Sequence, residues 1–398
     1  MIGKLKFFIS LLVNFKSLYS FAWQRILIMS KLFLRFEPPY EYEKKLVFDK
    51  NTESILGEID KALEKKHCGH NHKYKAKWDS VYQRAETGNF IASSINKILP
   101  LGRNELSPTC LENLNCEGYS SIPEKNLSKN QVEEVLRYLE TKVSFPSHVA
   151  HRSLKKPCSK DILKNGVNPF ASYDIQTILG SRVLAGLVGD QPIINLVGNY
   201  FGCVPTLCNV NLYWSLLRLH SESAGPQSYH RDVDDHKIVN VFVNLTETAE
   251  NDGAYCHIDK TQNIERISEV FDKNKSAAIP DKWNPFGRTL TPEDLFVLPL
   301  KGYGFGQLYD YLFEKHVHQV FGPAGTVRCA DGYGLHRAIP PASRDRLLFW
   351  LTFSLTRSST GTAQVPHQKR TPYSKVNEQI VSNDLTRYVL RNVIDFNN

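Results

Sequence analysis

The sequence predicts an α+β chain in which helices come first and a β core of jelly-roll type follows. Two features carry that reading. Before about residue 209 the apolar residues recur at helical spacing, with a capping box at Ser128 and Gln131 ahead of Val132, Val135, Leu136 and Leu139. After it, short β-rich runs at 239–245, 326–330 and 347–355 alternate with Gly, Pro, Asn and Asp. In the first run Val239, Val241, Val243 and Leu245 fall on one strand face by the period-2 rule, and Ile238, Asn240 and Phe242 on the other.

Taken in order, the 398 residues divide into four parts. Residues 1–36 are apolar and basic, with Lys4, Lys6, Lys16, Arg25, Lys31 and Arg35 and no acidic side chain. No uncharged run there reaches the 18 or so residues of a spanning helix. The segment fits a helix lying on a membrane surface, or one packed on the body. A weak signal-peptide pattern and a start at Met29 are further readings of it. Residues 37–105 read as a helix and loop extension, with Ile55, Ile59 and Leu63 at helical spacing. Residues 106–357 hold the β-rich domain and the helices leading into it, including an apolar helical stretch over about 175–188. Residues 358–398 form a tail with a closing helix marked by Leu385, Tyr388, Val389 and Val393.

The formal charge of +8 belongs largely to the first segment, because removing its six basic residues leaves the body at +2. A nucleic-acid partner is therefore not expected. Eight cysteines without a Cys-x-x-Cys pair fit a reducing compartment, so a cytoplasmic location is expected, with membrane association through residues 1–36 as a variant of it.

The chemistry gathers around Tyr229-His230-Arg231-Asp232-Val233-Asp234-Asp235, directly before the first β run. In extended backbone His230 and Asp232 point to the same side, so an imidazole and a carboxylate can share one divalent ion. A third donor is available at His336, which follows the 326–330 run through Gly332-Tyr333-Gly334-Leu335. Two histidines and a carboxylate form a facial triad that leaves positions open on iron for a bidentate cosubstrate and O2. Ten residues on, Arg346 opens the last β run, where its guanidinium fork suits a carboxylate.

With these residues in place the chain resembles the phytanoyl-CoA dioxygenase family of Fe(II)/2-oxoglutarate oxygenases, especially its bacterial members. The stretches that carry the resemblance are YHRDVDDHKIVNVFVNLTETAENDGAY and GPAGTVRCADGYGLHRAIPPASRDRLLFWLTF, supported by EGYSSIPEKNLSKNQVEEVLRYL and INLVGNYFGCVPTL. The resemblance implies a double-stranded β-helix (jelly roll, cupin-like) core with N-terminal helices. It implies Fe(II) on His230, Asp232 and His336, and 2-oxoglutarate anchored by Arg346, with Arg344 as the alternative anchor. The implied reaction hydroxylates a small-molecule or lipid-linked substrate with O2, giving succinate and CO2. A carboxylate at Asp232 resembles hydroxylases, since related halogenases lose it to admit halide. The chain departs from many relatives at Asp259-Lys260-Thr261-Gln262, where they have Pro-Gly-Ser-His. Two other classes remain: a non-catalytic jelly-roll binding or scaffold module, and a cupin-type metal enzyme that does not use 2-oxoglutarate.

Other histidines compete for the role. His220 with Glu222 has ligand-type spacing but lacks the following strand, so a place on the surface or beside the site is expected. His316 with His318 alternates as a strand pair does and is expected on a partly exposed strand face near a loop. The cluster His67-Cys68-Gly69-His70-Asn71-His72 sits in a Lys-rich stretch with spacing unlike a zinc finger, so a solvated loop is expected. Asp234, Asp235 and His236 are expected in a solvent-side turn or beside the site, and Trp214 and Trp350 in the core or a pocket wall. Asn240 either points to the site or makes a buried hydrogen bond.

Overall fold

The computed structural model describes residues 54, 79–146, 156–160, 169–217, 229–232, 235–250, 252–263, 265, 267, 269, 306–355 and 370–397. The basic segment 1–36, the helical pattern at 55–63, the 67–72 cluster, His220 with Glu222, and Asp234 lie outside them. The chain is a mixed structure of helices and antiparallel sheet. No helix among the described residues is long and apolar enough to cross a membrane.

The helices come first, as the apolar spacing predicts. They are α1 (Asp79–Ile98), α2 (Pro108–Glu117), α3 (Lys129–Leu139), α4 (Ile175–Gly180), α5 (Arg182–Val188) and α6 (Gln191–Phe201). The Ser128 capping box forms as read: its side chain accepts the Gln131 N–H, and the Gln131 side chain accepts the Ser128 N–H. The apolar stretch at 175–188 is two helices rather than one. Ser181 leaves the helical region (φ −81°, ψ 127°) and its hydroxyl caps Leu184, a local bond that competes with helix continuation.

Two sheets follow. The larger takes the order β1-β7-β4-β9-β3-β2, from β1 (Tyr119–Ser121), β2 (Phe170–Tyr173), β3 (Thr206–Ser215), β4 (Ile238–Asn244), β7 (Val327–Asp331) and β9 (Arg346–Ser354). The smaller is β6-β5-β8, from β5 (Tyr255–Ile258), β6 (Val317–Val320) and β8 (His336–Ala338). Every pairing in both is antiparallel. The helix α7 (Gly306–Phe313) precedes β6, and α8 (Asp384–Leu390) packs near the chain's end beside the short parallel pair β10 (Thr371–Pro372) and β11 (Ile394–Asp395).

Alternation along each strand sorts the larger sheet's two faces. Val239, Val241 and Val243 of β4, with Val327 and Cys329 of β7 and Leu347, Phe349, Leu351 and Phe353 of β9, join the helices in one apolar core. Each such side chain contributes about 1.5–3 kcal/mol on burial. Ile91 and Ile95 of α1 and Tyr388 and Val389 of α8 belong to the same cluster. The other face looks toward the smaller sheet: Phe170, Tyr213, Phe242, Ala330 and Leu348 cluster with Tyr255 and Val320 across the gap. The Phe242 and Tyr255 rings are 4.7 Å apart.

A turn feeding β5 depends on glycine. Gly253 sits at φ +78°, and a Cβ there would lie 2.6 Å from the Ile339 carbonyl oxygen and 2.8 Å from the Pro341 nitrogen. Both obstacles are backbone and cannot swing aside. Gly253→Ala is expected to destabilise the chain by roughly 1–3 kcal/mol, read as a lower denaturant midpoint with unchanged slope.

Candidate metal centre

His230 and His336, 106 positions apart (230 to 336), are brought together by backbone before side chains matter. Each donates its N–H to the other's carbonyl, at 3.0 and 3.1 Å, so residue 230 flanks β8 on the edge away from β5. Two residues on, the Asp232 N–H donates to the Gly332 carbonyl at 2.7 Å. Gly332 permits this approach, because a Cβ there would fall 2.9 Å from Asp232 Oδ2 and from Ile238.

The side chains converge accordingly. Asp232 Oδ1 lies 3.8 Å from His230 Nε2, and Asp232 Oδ2 lies 3.7 Å from His336 Nε2. One donor atom from each residue lies within 4.8 Å of the others, the only such group among the described residues. Donors each about 2.1 Å from a shared ion lie roughly 3–4 Å apart, so the three residues fit a first-row divalent metal. The tautomer also fits: His336 Nδ1 donates to the Gly334 carbonyl at 2.9 Å, which leaves the Nε2 lone pair toward the site. Burial holds the His336 pKa down to about 4, with Arg231 adding to the effect, so the imidazole is neutral and able to ligate.

Around the three donors the structure adds groups that spacing alone does not reveal. Arg231, between His230 and Asp232, is buried and donates through Nη1 to the carbonyls of Thr261 and Tyr333. It thereby ties the loop after β5 to the loop before His336. Thr261 completes the tie, donating to the Ile258 carbonyl at 2.6 Å and accepting the Leu335 N–H at 2.8 Å. The 259–262 segment that departs from relatives is thus part of this brace. His257 lies opposite His336 in register, fully buried, its pKa pushed down to about 3 by burial. The Tyr255 hydroxyl is buried without a partner, its ring 5.6 Å from that of His336. Asn240 donates to Asp232 Oδ2 at 2.7 Å, which answers both alternatives for that residue at once.

The two arginine candidates differ sharply. Arg346 is 2% exposed, and its guanidinium meets Ser215 Oγ at 3.4 Å and the Tyr213 side chain. Its Nε has no hydrogen-bond partner, and no carboxylate among the described residues pairs with it. Burial lowers its pKa. Arg344 instead is half exposed and engaged: it donates to Asp252 Oδ2 at 2.6 and 2.8 Å and lies 3.2 Å from Glu247. That pair, with Ser343 and the Ala249 N–H, holds the Asp252 pKa down to about 2. A folded-state pKa below the unfolded value stabilises the fold above about pH 4 and stops doing so as pH falls toward 2. Asp252→Asn is therefore expected to lower Tm at neutral pH and to flatten the fall in Tm between about pH 4 and 2 in an acid titration.

The remaining sequence candidates take structural places. His318 is mostly exposed on β6, 3.6 Å from Asp259. Asp235 is buried rather than solvent-side: its carboxylate accepts the N–H groups of His236 and Leu355, closing the end of β9. Trp214 donates to the Tyr173 hydroxyl at 3.2 Å under the Lys160 ammonium, and Trp350 lines the gap between the sheets.

No family model matches the chain, and no curated protein matches it in sequence. Solved structures do. It is similar to the non-heme alpha ketoglutarate dependent epimerase SnoN from nogalamycin biosynthesis, at 13% identity over 62% of this chain and 81% of that one, TM-score 0.38. It is similar to HygX from Streptomyces hygroscopicus with nickel and 2-oxoglutarate bound, at 14% identity over 63% and 87%, TM-score 0.40. EctD from S. alaskensis with 2-oxoglutarate and 5-hydroxyectoine matches at 13% identity over 64% and 78%, TM-score 0.40.

Proposed function

We propose that the chain is an Fe(II)- and 2-oxoglutarate-dependent oxygenase of the phytanoyl-CoA dioxygenase type, hydroxylating a small-molecule or lipid-linked substrate. The observation that carries this reading is a pairing of sites. A His-Asp-His donor set lies beside one wall of the inter-sheet gap, and a buried guanidinium that no carboxylate among the described residues pairs with opens β9. An isolated buried charge is costly, so Arg346 is kept for an anion that arrives from outside. A cupin-type enzyme or a scaffold has no use for it.

The strand succession supports a double-stranded β-helix over the 106–357 domain. Successive strands change sheet at every step but one, β5 to β6, which pair with each other: β3, then residue 230, then β4, β5, β6, β7, β8 and β9, giving β3-β9-β4-β7 in one sheet and 230-β8-β5-β6 in the other. His230 and His336 thus lie along the smaller sheet and Arg346 on the larger.

His230, Asp232 and His336 would hold the iron, and Arg346, with Tyr213 and Ser215 beside it, the distal carboxylate of 2-oxoglutarate. When bound, iron and 2-oxoglutarate supply the oxidising power for C–H hydroxylation with O2, releasing succinate and CO2. The protein's own part is orientation and exclusion of water. The Gly334 carbonyl fixes the His336 tautomer, Arg231 braces the loop before His336 against the loop after β5, and Phe242, Tyr255 and Trp350 line the gap between the sheets.

Anaerobic titration of the purified chain with Fe(II) and 2-oxoglutarate tests the reading. The expected result is a weak visible charge-transfer band that needs both components and is absent in His230→Ala. Tight iron binding without a band points to the cupin-type enzyme, and no binding at all to a scaffold; either outcome defeats the proposal.

A further inference from the structure

A line of hydrogen bonds runs along the inner face of the larger sheet and ends on Asp232. Trp350 Nε1 donates to Thr352 Oγ1 at 2.7 Å, Thr352 Oγ1 donates to Asn240 Oδ1 at 2.8 Å, and Asn240 Nδ2 donates to Asp232 Oδ2 at 2.7 Å. Strand register builds it. Asn240 of β4 is paired with Thr352 of β9, and Trp350 sits two residues along on the same face.

Its direction is forced by its ends. An indole N–H can only donate and an ionised carboxylate can only accept. The hydroxyl and the amide between them therefore have a single arrangement: the hydroxyl spends its proton on the amide oxygen, and the amide turns its NH2 to the carboxylate. Asn240 is 4% exposed, so water does not offer it an alternative set of partners.

Building on the iron site proposed above, we propose that Trp350, Thr352 and Asn240 form a positioning relay that makes Asp232 a one-oxygen metal ligand. An Asp232 Oδ2 held at 2.7 Å by an oriented amide cannot swing to become a second donor without breaking that bond. A one-oxygen carboxylate keeps three positions open on an octahedral metal, two for a chelating cosubstrate and one for O2; a two-oxygen carboxylate leaves two. Thr352 has a specific part. Without its proton, the Asn240 amide is equally content to present its oxygen, which repels the carboxylate.

The test uses Co(II) alone as probe, added to the full chain without cosubstrate, with Tm recorded for each variant. Asn240→Ala, Thr352→Val and Trp350→Phe cut the relay at successive distances from Asp232. Removing outer partners of metal ligands costs about 10–100-fold in affinity. The loss is expected near the top of that range for Asn240→Ala, near the bottom for Thr352→Val, and smaller for Trp350→Phe. Thr352→Ser, which restores the hydroxyl, is expected to bind within about twofold of wild type. The Co(II) absorption spectrum should also change shape in Asn240→Ala and Thr352→Val, reporting altered coordination. A merely structural row would lower Tm without this graded loss. Wild-type affinity and spectrum in folded Thr352→Val or folded Asn240→Ala overturns the relay. If one of these variants does not fold, the other decides, and if neither folds, wild-type Co(II) affinity in Trp350→Phe overturns it. Failure of the wild-type chain itself to bind Co(II) strikes the iron site instead, which keeps the two proposals separable.

Discussion

Asp232→Ala is expected to bind neither Fe(II) nor Co(II) at concentrations that saturate the wild-type chain, and to form no succinate from 2-oxoglutarate. The substitution removes the sole carboxylate of the three donors and leaves two imidazoles, that of His336 held neutral by burial. The loss should exceed the roughly 10–100-fold that removal of an outer partner costs. The fold should survive. Asp232 lies outside the apolar cores, and the Asn240 amide left without its acceptor costs only about 1–3 kcal/mol. Metal titration followed by circular dichroism separates lost ligation from lost structure. Normal succinate production by purified Asp232→Ala would falsify the assignment of the ligand set.

Arg346→Met should lose the cosubstrate and keep the metal. Removing one partner of a buried, hydrogen-bonded charge pair costs about 2–5 kcal/mol, or roughly 30-fold to several thousand-fold in 2-oxoglutarate affinity. Co(II) binding without 2-oxoglutarate should be unchanged, because Arg346 touches Ser215 and Tyr213 rather than a donor residue. The unliganded variant should also be at least as heat-stable as wild type. It exchanges a buried guanidinium, with which no carboxylate among the described residues pairs, for an apolar side chain of similar length. Arg344→Met is the paired control: it breaks the ion pair with Asp252, lowering Tm while leaving 2-oxoglutarate affinity alone. The opposite pattern between the two variants would move the anchor to Arg344.

The sequence exposed those parts of the site that depend on spacing along one strand. His230 and Asp232 share a side because extended chain alternates, and Val239, Val241 and Val243 pack together for the same reason. The strands at 238–244, 327–331 and 346–354 fall within a residue of the runs read from composition. What stayed hidden depends on register between strands distant in sequence. That Asn240 faces inward follows from alternation, but that it meets Thr352 follows only from the β4–β9 pairing. Asp235, among other acidic residues, reads as a solvent-side turn or a neighbour of the site, yet it closes the end of β9, 120 positions later. Tyr255 and His257 carry no spacing signal at all, because what matters is the wall they face. The helix break at Ser181 was concealed by apolar residues continuing on both sides of it.

The backbone bridge between residues 230 and 336 also bears on how the chain reaches and leaves its native state. Closing so long a loop is slow, since contacts of high sequence separation come after local ones. The three donors therefore do not come together until the late strands have docked against the early ones, and an ion that needs all three would hold the native chain in preference to the unfolded one. An ion present at a hundred times its Kd adds about 2.7 kcal/mol to the stability of the native form. Because that gain arrives after the rate-limiting closure, it falls on the unfolding side of the barrier. Loaded chain should refold no faster than bare chain, and come apart more slowly.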